Sequence, residues 1–254
     1  MLTAITREVS PALAKCELSF VAREPIDLAK AREQHREYER TLERLGARVV
    51  RLPEEPELPD SMFVEDPAMV LEELAVIFPL GTESRRGEAA TLARALEPYR
   101  KLARVELPGT AEGGDVLRIG REVYVGVSRR TNAEGIRQLA GILAPYGYEV
   151  IPVAVNGCLH LKSAVTYLGR GKLLANRAWI DAAPFSGYEW VDVAAEEPGA
   201  ANALAMGETV IFPAAYPRTR ERIGKCGLRV MAIDISELQK AESGLTCSSL
   251  IFEG

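Results

Sequence analysis

Cys247, seven residues from the carboxyl end, His160 and two carboxylates, Asp66 and Glu112, are the side chains of this sequence best suited to act together. A thiol attacks as its thiolate, an imidazole moves protons near neutral pH, and paired carboxylates grip a planar cation through charge-assisted forked hydrogen bonds. A guanidinium is such a cation. Its carbon is a weak electrophile because resonance spreads the charge, so attack on it requires rigid orientation and a proton for the departing amine. The set predicts hydrolysis at a guanidinium carbon through Cys247, with no metal.

Residues so far apart in sequence meet only if the fold gathers them, and the sequence repeats. A short apolar run, a turn and a second apolar run recur at 68–79 (AMVLEELAVIFP), 116–127 (VLRIGREVYVGV), 164–175 (AVTYLGRGKLLA) and 203–213 (ALAMGETVIFP), each the pattern of a tight β-hairpin. After the first, second and fourth come a helical pattern and another strand. After the third, only NRAWIDAAPF precedes YEWVDV. The terminal segments MLTAIT and SSLIF pair as a fifth hairpin. Its helix spans 27–45, with Leu28, Ala31, His35, Tyr38, Leu42 and Leu45 on one face, and the strand ARVVRLP follows.

Five hairpin, helix and strand units closed by the two termini predict a five-bladed pseudosymmetric α/β propeller, one catalytic domain over residues 1–254. An open doubly wound sheet would alternate single strands with helices, and the hairpins argue against it. Asp66, Glu112, His160 and Cys247 each stand four residues before a residue of a hairpin's first strand, namely Val70, Val116, Ala164 and Ile251. In a radial array, equivalent positions converge on the axis.

Composition narrows the function classes. With 47% hydrophobic and 26% charged residues the chain reads as an ordinary globular protein, and a net charge of -5 argues against nucleic-acid and anionic-membrane partners. No apolar run is long enough to span a bilayer, and Arg7 and Glu8 fall where a signal peptide needs its apolar stretch, so a cytoplasmic location is expected. Four cysteines (Cys16, Cys158, Cys226, Cys247) without a C-x-x-C pair predict reduced thiols, and two histidines are too few for a histidine-rich metal centre. No cofactor is expected.

The segments FVEDPAMV (63–70), EGGDV (112–116), SRRTN (128–132), LHLKSAVTYLG (159–169) and GLTCSSLIFEG (244–254) resemble the dimethylarginine dimethylaminohydrolase family of the pentein, or guanidino-group-modifying, superfamily. The resemblance runs over the whole chain. It implies conversion of Nω-methylated arginine to citrulline and a methylamine, with Cys247 the nucleophile, His160 the proton donor and then the base for water, and Glu112 and Asp66 holding the guanidinium. By the same likeness Glu65 lines the pocket, Arg85 and Arg130 clamp the substrate carboxylate, and Asp60 with the carbonyls of Leu18 and Ala241 receives the α-amino group. Residues 16–27 then correspond to a mobile lid.

Other readings predict different features. An arginine deiminase or another amidinohydrolase of the superfamily shares the chemistry, but FVEDP departs from the FTRDP-like segment of arginine deiminases. A non-catalytic ribosome-binding propeller needs no cysteine, histidine and acid set at its axis. The expected partner is a small methylated arginine, and a homodimer is allowed. His35 is expected to serve packing, as are Cys16, Cys158 and Cys226. Asp115 reads equally as a structural residue and as part of the site, and the pair Gly113-Gly114 marks a special backbone conformation.

Overall fold

The computed structural model describes residues 1–254. The first elements are strand β1 (Leu2–Arg7), helix α1 (Leu28–Arg44) and strand β2 (Arg48–Leu52). Helix α1 begins where the Asp27 side chain accepts from Lys30 N at 3.0 Å and ends at Gly46, whose φ of +92° a side chain would resist. Next come β3 (Ala68–Val70), β4 (Leu74–Ile77), α2 (Glu88–Leu96) and β5 (Lys101–Arg104), then β6 (Val116–Ile119), β7 (Glu122–Val127), α3 (Ala133–Leu143) and β8 (Glu149–Ala154). The one-turn helix α4 (Leu161–Ala164) leads into β9 (Val165–Gly169), β10 (Lys172–Ala175) and β11 (Glu189–Asp192). The last group is β12 (Leu204–Met206), β13 (Thr209–Pro213), α5 (Pro217–Lys225), β14 (Arg229–Ile233), a short α6 (Ser236–Gln239) and β15 (Leu250–Glu253).

These strands form five three-stranded sheets of one topology: an antiparallel hairpin whose second strand pairs in parallel with a third. In the fifth sheet the hairpin is made by the termini, Leu2 facing Glu253 and Ile5 facing Leu250, as the sequence predicts. The third unit differs in its connection. Where the others carry a helix, it has two 3₁₀ turns, Arg177–Trp179 and Ala183–Phe185, because the segment is short and Pro184 interrupts it.

The apolar core consists of five wedges rather than one body. One joins the sheet of β3 to that of β6 through Val76, Val125 and Leu139; another brings Ile5 and Phe252 of the terminal sheet back against Ile77 and Leu92. The remaining wedges continue the series through Tyr124 with Phe185, Leu174 with Phe212, and Ile211 with Tyr38. Each fully buried Leu, Ile or Phe contributes about 2 kcal/mol, so each unit is held mainly by its two neighbours. The first strands of all five sheets line a central cavity of about 340 Å³ through Val70, Leu117, Thr166, Leu204 and Ile251. No helix is long and apolar enough to cross a membrane.

The four-residue offset expected for the reactive residues holds at Val70, Val116 and Ile251, which lie in β3, β6 and β15, but not at Ala164, which ends α4 one residue before β9 begins. Their shared placement is the turn that leads into a first strand, and the length of that turn varies with the capping structure. Glu112 precedes a 3₁₀ turn, His160 caps α4, and Cys247 lies inside a 3₁₀ turn.

Candidate active site

Glu112 is wholly buried, and its carboxylate is fully engaged. Oε2 lies 2.7 Å from His160 Nε2; Oε1 accepts from Gly81 N at 3.1 Å and from Arg130 Nη1 at 3.4 Å. Burial alone would favour the neutral acid, but the bond to His160 and the charges of Arg85 and Arg130 win and hold Glu112 below the usual carboxylate range. Burial likewise opposes charge on His160, yet Asp66, Glu112 and Asp115 overcome it and raise the imidazole to about 9. His160 is therefore an imidazolium at neutral pH.

Asp66 completes this group, since ligand-type atoms of Asp66, Glu112 and His160 all lie within 4.8 Å of one another. Such a trio could hold a cation. Arg85 Nη1 already donates to Asp66 Oδ2 at 3.0 Å, and Arg130 and His160 neutralise Glu112, so these carboxylates are charge-compensated by planar cations. Gly114 N donates to Asp66 Oδ1 at 3.2 Å.

The pair Gly113-Gly114 is explained by close approach, not by a left-handed backbone, since neither glycine is among those with positive φ. A β-carbon on Gly114 would lie 2.5 Å from His160 Nδ1, and one on Gly113 would lie 1.9 Å from the carbonyl oxygen of Glu65. Side chains there would displace the imidazole and the chain before Asp66.

Cys247 is half-buried, and its Sγ accepts from Gly244 N at 3.3 Å. Burial and the nearby carboxylates of Glu65 and Asp66 push the thiol up to about 12, against smaller contributions from Gly244 and Lys162. The thiol is thus neutral at rest, and His160 bonds to Glu112 rather than to sulfur. Below it, Glu65 accepts from Lys162 Nζ and, at 2.8 Å, from Thr246 Oγ1, which closes the floor between the site and the central cavity.

The residues expected at the rim are spread more widely. Arg85 is buried and directs Nε and Nη2 at Glu88, both at 2.9 Å, so with the bond to Asp66 three of its five N–H groups are taken. Arg130 reaches Glu112 and, at 3.3 Å, Ser19 Oγ. Asp60 is buried and accepts from Glu17 N at 3.1 Å; burial raises its carboxyl, with Arg85 opposing. Leu18 lies in the irregular segment 16–27 and Ala241 is buried beside Glu242; neither carbonyl accepts a hydrogen bond from the protein.

Four supporting residues escaped sequence reasoning in whole or in part. Asp115 is structural: its carboxylate accepts from Ser128 Oγ (2.6 Å), Thr131 Oγ1 (2.7 Å) and Leu161 N (2.9 Å), tying the SRRTN loop to the helix that His160 caps. Asn202 accepts from Thr246 N at 3.1 Å and so fixes the cysteine turn; no local pattern marks it. Glu88, raised by burial to about 7, anchors Arg85. Lys162 stands two residues after His160, a spacing that could have brought it to notice.

A family model described as N,N dimethylarginine dimethylhydrolase, eukaryotic, matches residues 17–176. The N(G),N(G)-dimethylarginine dimethylaminohydrolase of Pseudomonas aeruginosa is 41% identical over 228 residues, covering 89% of this chain and 90% of that one. The solved structure of the Pseudomonas aeruginosa enzyme, a Cys-to-Ser variant complexed with citrulline, is similar at a TM-score of 0.94 and 38% identity, over 99% of this chain and 100% of that one. Equal figures hold for a His-to-Gly variant of a dimethylarginine dimethylaminohydrolase in an adduct with S-methyl-L-thiocitrulline. The amino-terminal domain of a cyanobacterial arginine dihydrolase shares the fold at 18% identity and a TM-score of 0.85, covering 99% of this chain and 98% of that one. At this identity and coverage the chain belongs to the dimethylarginine dimethylaminohydrolase family.

Proposed function

We propose that this chain hydrolyses Nω-methylated arginine to citrulline and the corresponding methylamine. The observation that carries the reading is the pairing of a buried imidazolium, held charged by Asp66, Glu112 and Asp115, with a buried thiol held neutral beside Glu65 and Asp66. A guanidinium entering beside Asp66 and Glu65 brings positive charge to Cys247, and this favours the thiolate, the thiol proton passing to solvent. Sulfur attacks the guanidinium carbon, the bond to the methylated nitrogen breaks, and His160 gives that nitrogen its proton. The resulting S-alkylthiouronium is then attacked by water, whose proton returns to His160. Loss of the thiolate yields citrulline. The adduct and the citrulline complex of the related enzymes fit the two halves of this cycle.

In this reading Asp66 and Glu112 orient the guanidinium, and Glu65 with Lys162 seals the floor. Arg130 and the two uncommitted N–H groups of Arg85 receive the α-carboxylate, while Asp60 and the carbonyls of Leu18 and Ala241 receive the α-amino group. The five sheets form a single-domain propeller that acts on a small molecule in the cytoplasm and needs no metal or cofactor. No nucleic acid or membrane takes part, and a homodimer is compatible with this site.

The test supplies purified protein with asymmetric dimethylarginine, monomethylarginine, arginine and agmatine and measures citrulline and carbamoylputrescine. Citrulline from the methylated substrates is expected. Turnover of arginine alone would overturn the assignment.

A further inference from the structure

Residues 16–27 cross the front of the site with no regular secondary structure, and Glu242 binds the backbone at their middle. Glu242 Oε2 accepts from Ser19 N at 2.7 Å and Glu242 Oε1 from Phe20 N at 2.9 Å, so one carboxylate spans two consecutive amides. Glu242 does this from a left-handed backbone, φ +60°, one of only two non-glycine residues with positive φ. A residue with a β-carbon adopts that conformation when its surroundings impose it. Phe20 and Val21, just beyond the latch, remain exposed, and with Glu242, Trp179 and Tyr216 they border a cavity of about 270 Å³.

The latch lies beside the two carbonyls assigned to the α-amino group, neither of which has a partner. Leu18 directly precedes Ser19 and Ala241 directly precedes Glu242, so the two hydrogen bonds tie together the two segments that carry these carbonyls. Further ties hold the rest of the segment: Glu17 N donates to Asp60, Ser84 Oγ to Glu17 Oε1 at 2.6 Å, Arg23 to the carbonyls of Ala14 and Cys16, Lys240 Nζ to Pro25 O at 3.1 Å and Asp27 N to Glu237 at 2.9 Å, while Arg129 lies over the Phe20 ring. At the middle, Arg130 adds a longer bond to Ser19 Oγ.

We infer that Glu242 is a positioning residue that assembles the receptor for the substrate's α-ammonium group by clamping the amides of Ser19 and Phe20, and so makes the site prefer amino-acid guanidines over simple ones. This rests on the methylarginine reading for its substrate, though the latch itself stands on the hydrogen bonds alone. With the carboxylate gone the loop samples open states, and apparent affinity falls by the fraction that remains closed. The reacting carbon, gripped by Asp66 and Glu112, is untouched.

The experiment compares wild type, Glu242→Ala and Glu242→Gly. The glycine variant suits a left-handed backbone, so an effect common to both belongs to the lost carboxylate and not to strain. Each protein is assayed with monomethylarginine and with its des-amino analogue, a methylated guanidinopentanoate, while hydrogen exchange follows the amides of Ser19 and Phe20. Both variants should raise KM for monomethylarginine roughly tenfold with kcat within about threefold, leave kcat/KM for the des-amino analogue within about twofold, and speed exchange at both amides. Equal losses for the two substrates, or unchanged exchange, would overturn the proposal. If wild type turns over neither substrate, the methylarginine reading fails, and faster exchange in the variants still separates that failure from failure of the latch.

Discussion

His160 and His35 are both buried, each beside a buried carboxylate: His160 Nε2 lies 2.7 Å from Glu112, and His35 Nε2 lies 3.5 Å from Glu39. Both carboxylates are held below their ordinary range. A cavity does not separate the two sites, because His35 borders a polar depression of about 420 Å³ with Arg32, Arg36 and Arg51. The difference lies in where the partners come from. Glu39 is one turn along α1 from His35, and it is occupied by the fork of Arg51 and by Thr6 Oγ1 at 2.7 Å, so neither nitrogen of His35 makes a hydrogen bond. Glu112 and His160 belong to different units and meet where the turns converge, with Asp66 from a third unit and the thiol of Cys247 from a fourth. A pair on one helix serves packing there; a pair assembled across units gains a nucleophile.

Two substitutions should widen this contrast most. Cys247→Ser should remove turnover by more than about 10³-fold without changing thermal stability, and His160→Ala should cost about 10² to 10⁴-fold because the leaving amine loses its proton source. Steady-state assays beside a melting curve check both. Cys16→Ser, Cys158→Ser and Cys226→Ser should each keep activity within about threefold, since Cys16 and Cys158 are packed in apolar clusters and Cys226 lies at the end of α5. A comparable loss from any of the three would break the assignment of the nucleophile.

Glu112→Gln sharpens the comparison through pH. His160 is raised from 6.5 to about 9, so its charged form, and the stability that form contributes, is fully present below 6.5 and is lost as pH rises through about 9. In wild type, kcat/KM should fall along an alkaline limb near that value. Replacing Glu112 by Gln removes the negative partner, so the limb should move toward neutral pH and activity should drop roughly tenfold to a hundredfold. A limb that stays in place would show that Glu112 does not set the charge of His160.

The elements around both histidines were legible in the sequence to different depths. The hairpins were plain because each combines alternating apolar residues with a turn, and the five reappear as five sheets. The stripe that placed His35 in a packed helix face is a local signal, and it holds. The four reactive residues and three of their four offsets could be read from their recurrence before first strands, but the helical turn that displaces the strand after His160 could not, since no local pattern marks it. Gly113-Gly114 was misread for the same reason: the clash that excludes side chains there comes from His160 and Glu65, nearly 50 residues away on either side. Asn202 and Glu88 left no mark because each acts through hydrogen bonds to partners whose own importance appears only in three dimensions.

The smallest effect is expected at His35, and it is the most direct test of the contrast. His35 stacks on Tyr38 at a centroid distance of 6.2 Å, and its two buried nitrogens lie outside hydrogen-bond geometry, with Glu39 at 3.5 Å the nearest acid, so the ring gains little for the cost of burying them. Phenylalanine keeps the ring against Tyr38 and removes both nitrogens, while Glu39 retains Arg51 and Thr6. His35→Phe should therefore leave kcat/KM within about twofold and leave the melting temperature unchanged or a few degrees higher. If activity instead fell more than about tenfold, a histidine on the outer helix would be coupled to the axis, and the division between local and assembled pairs would not hold.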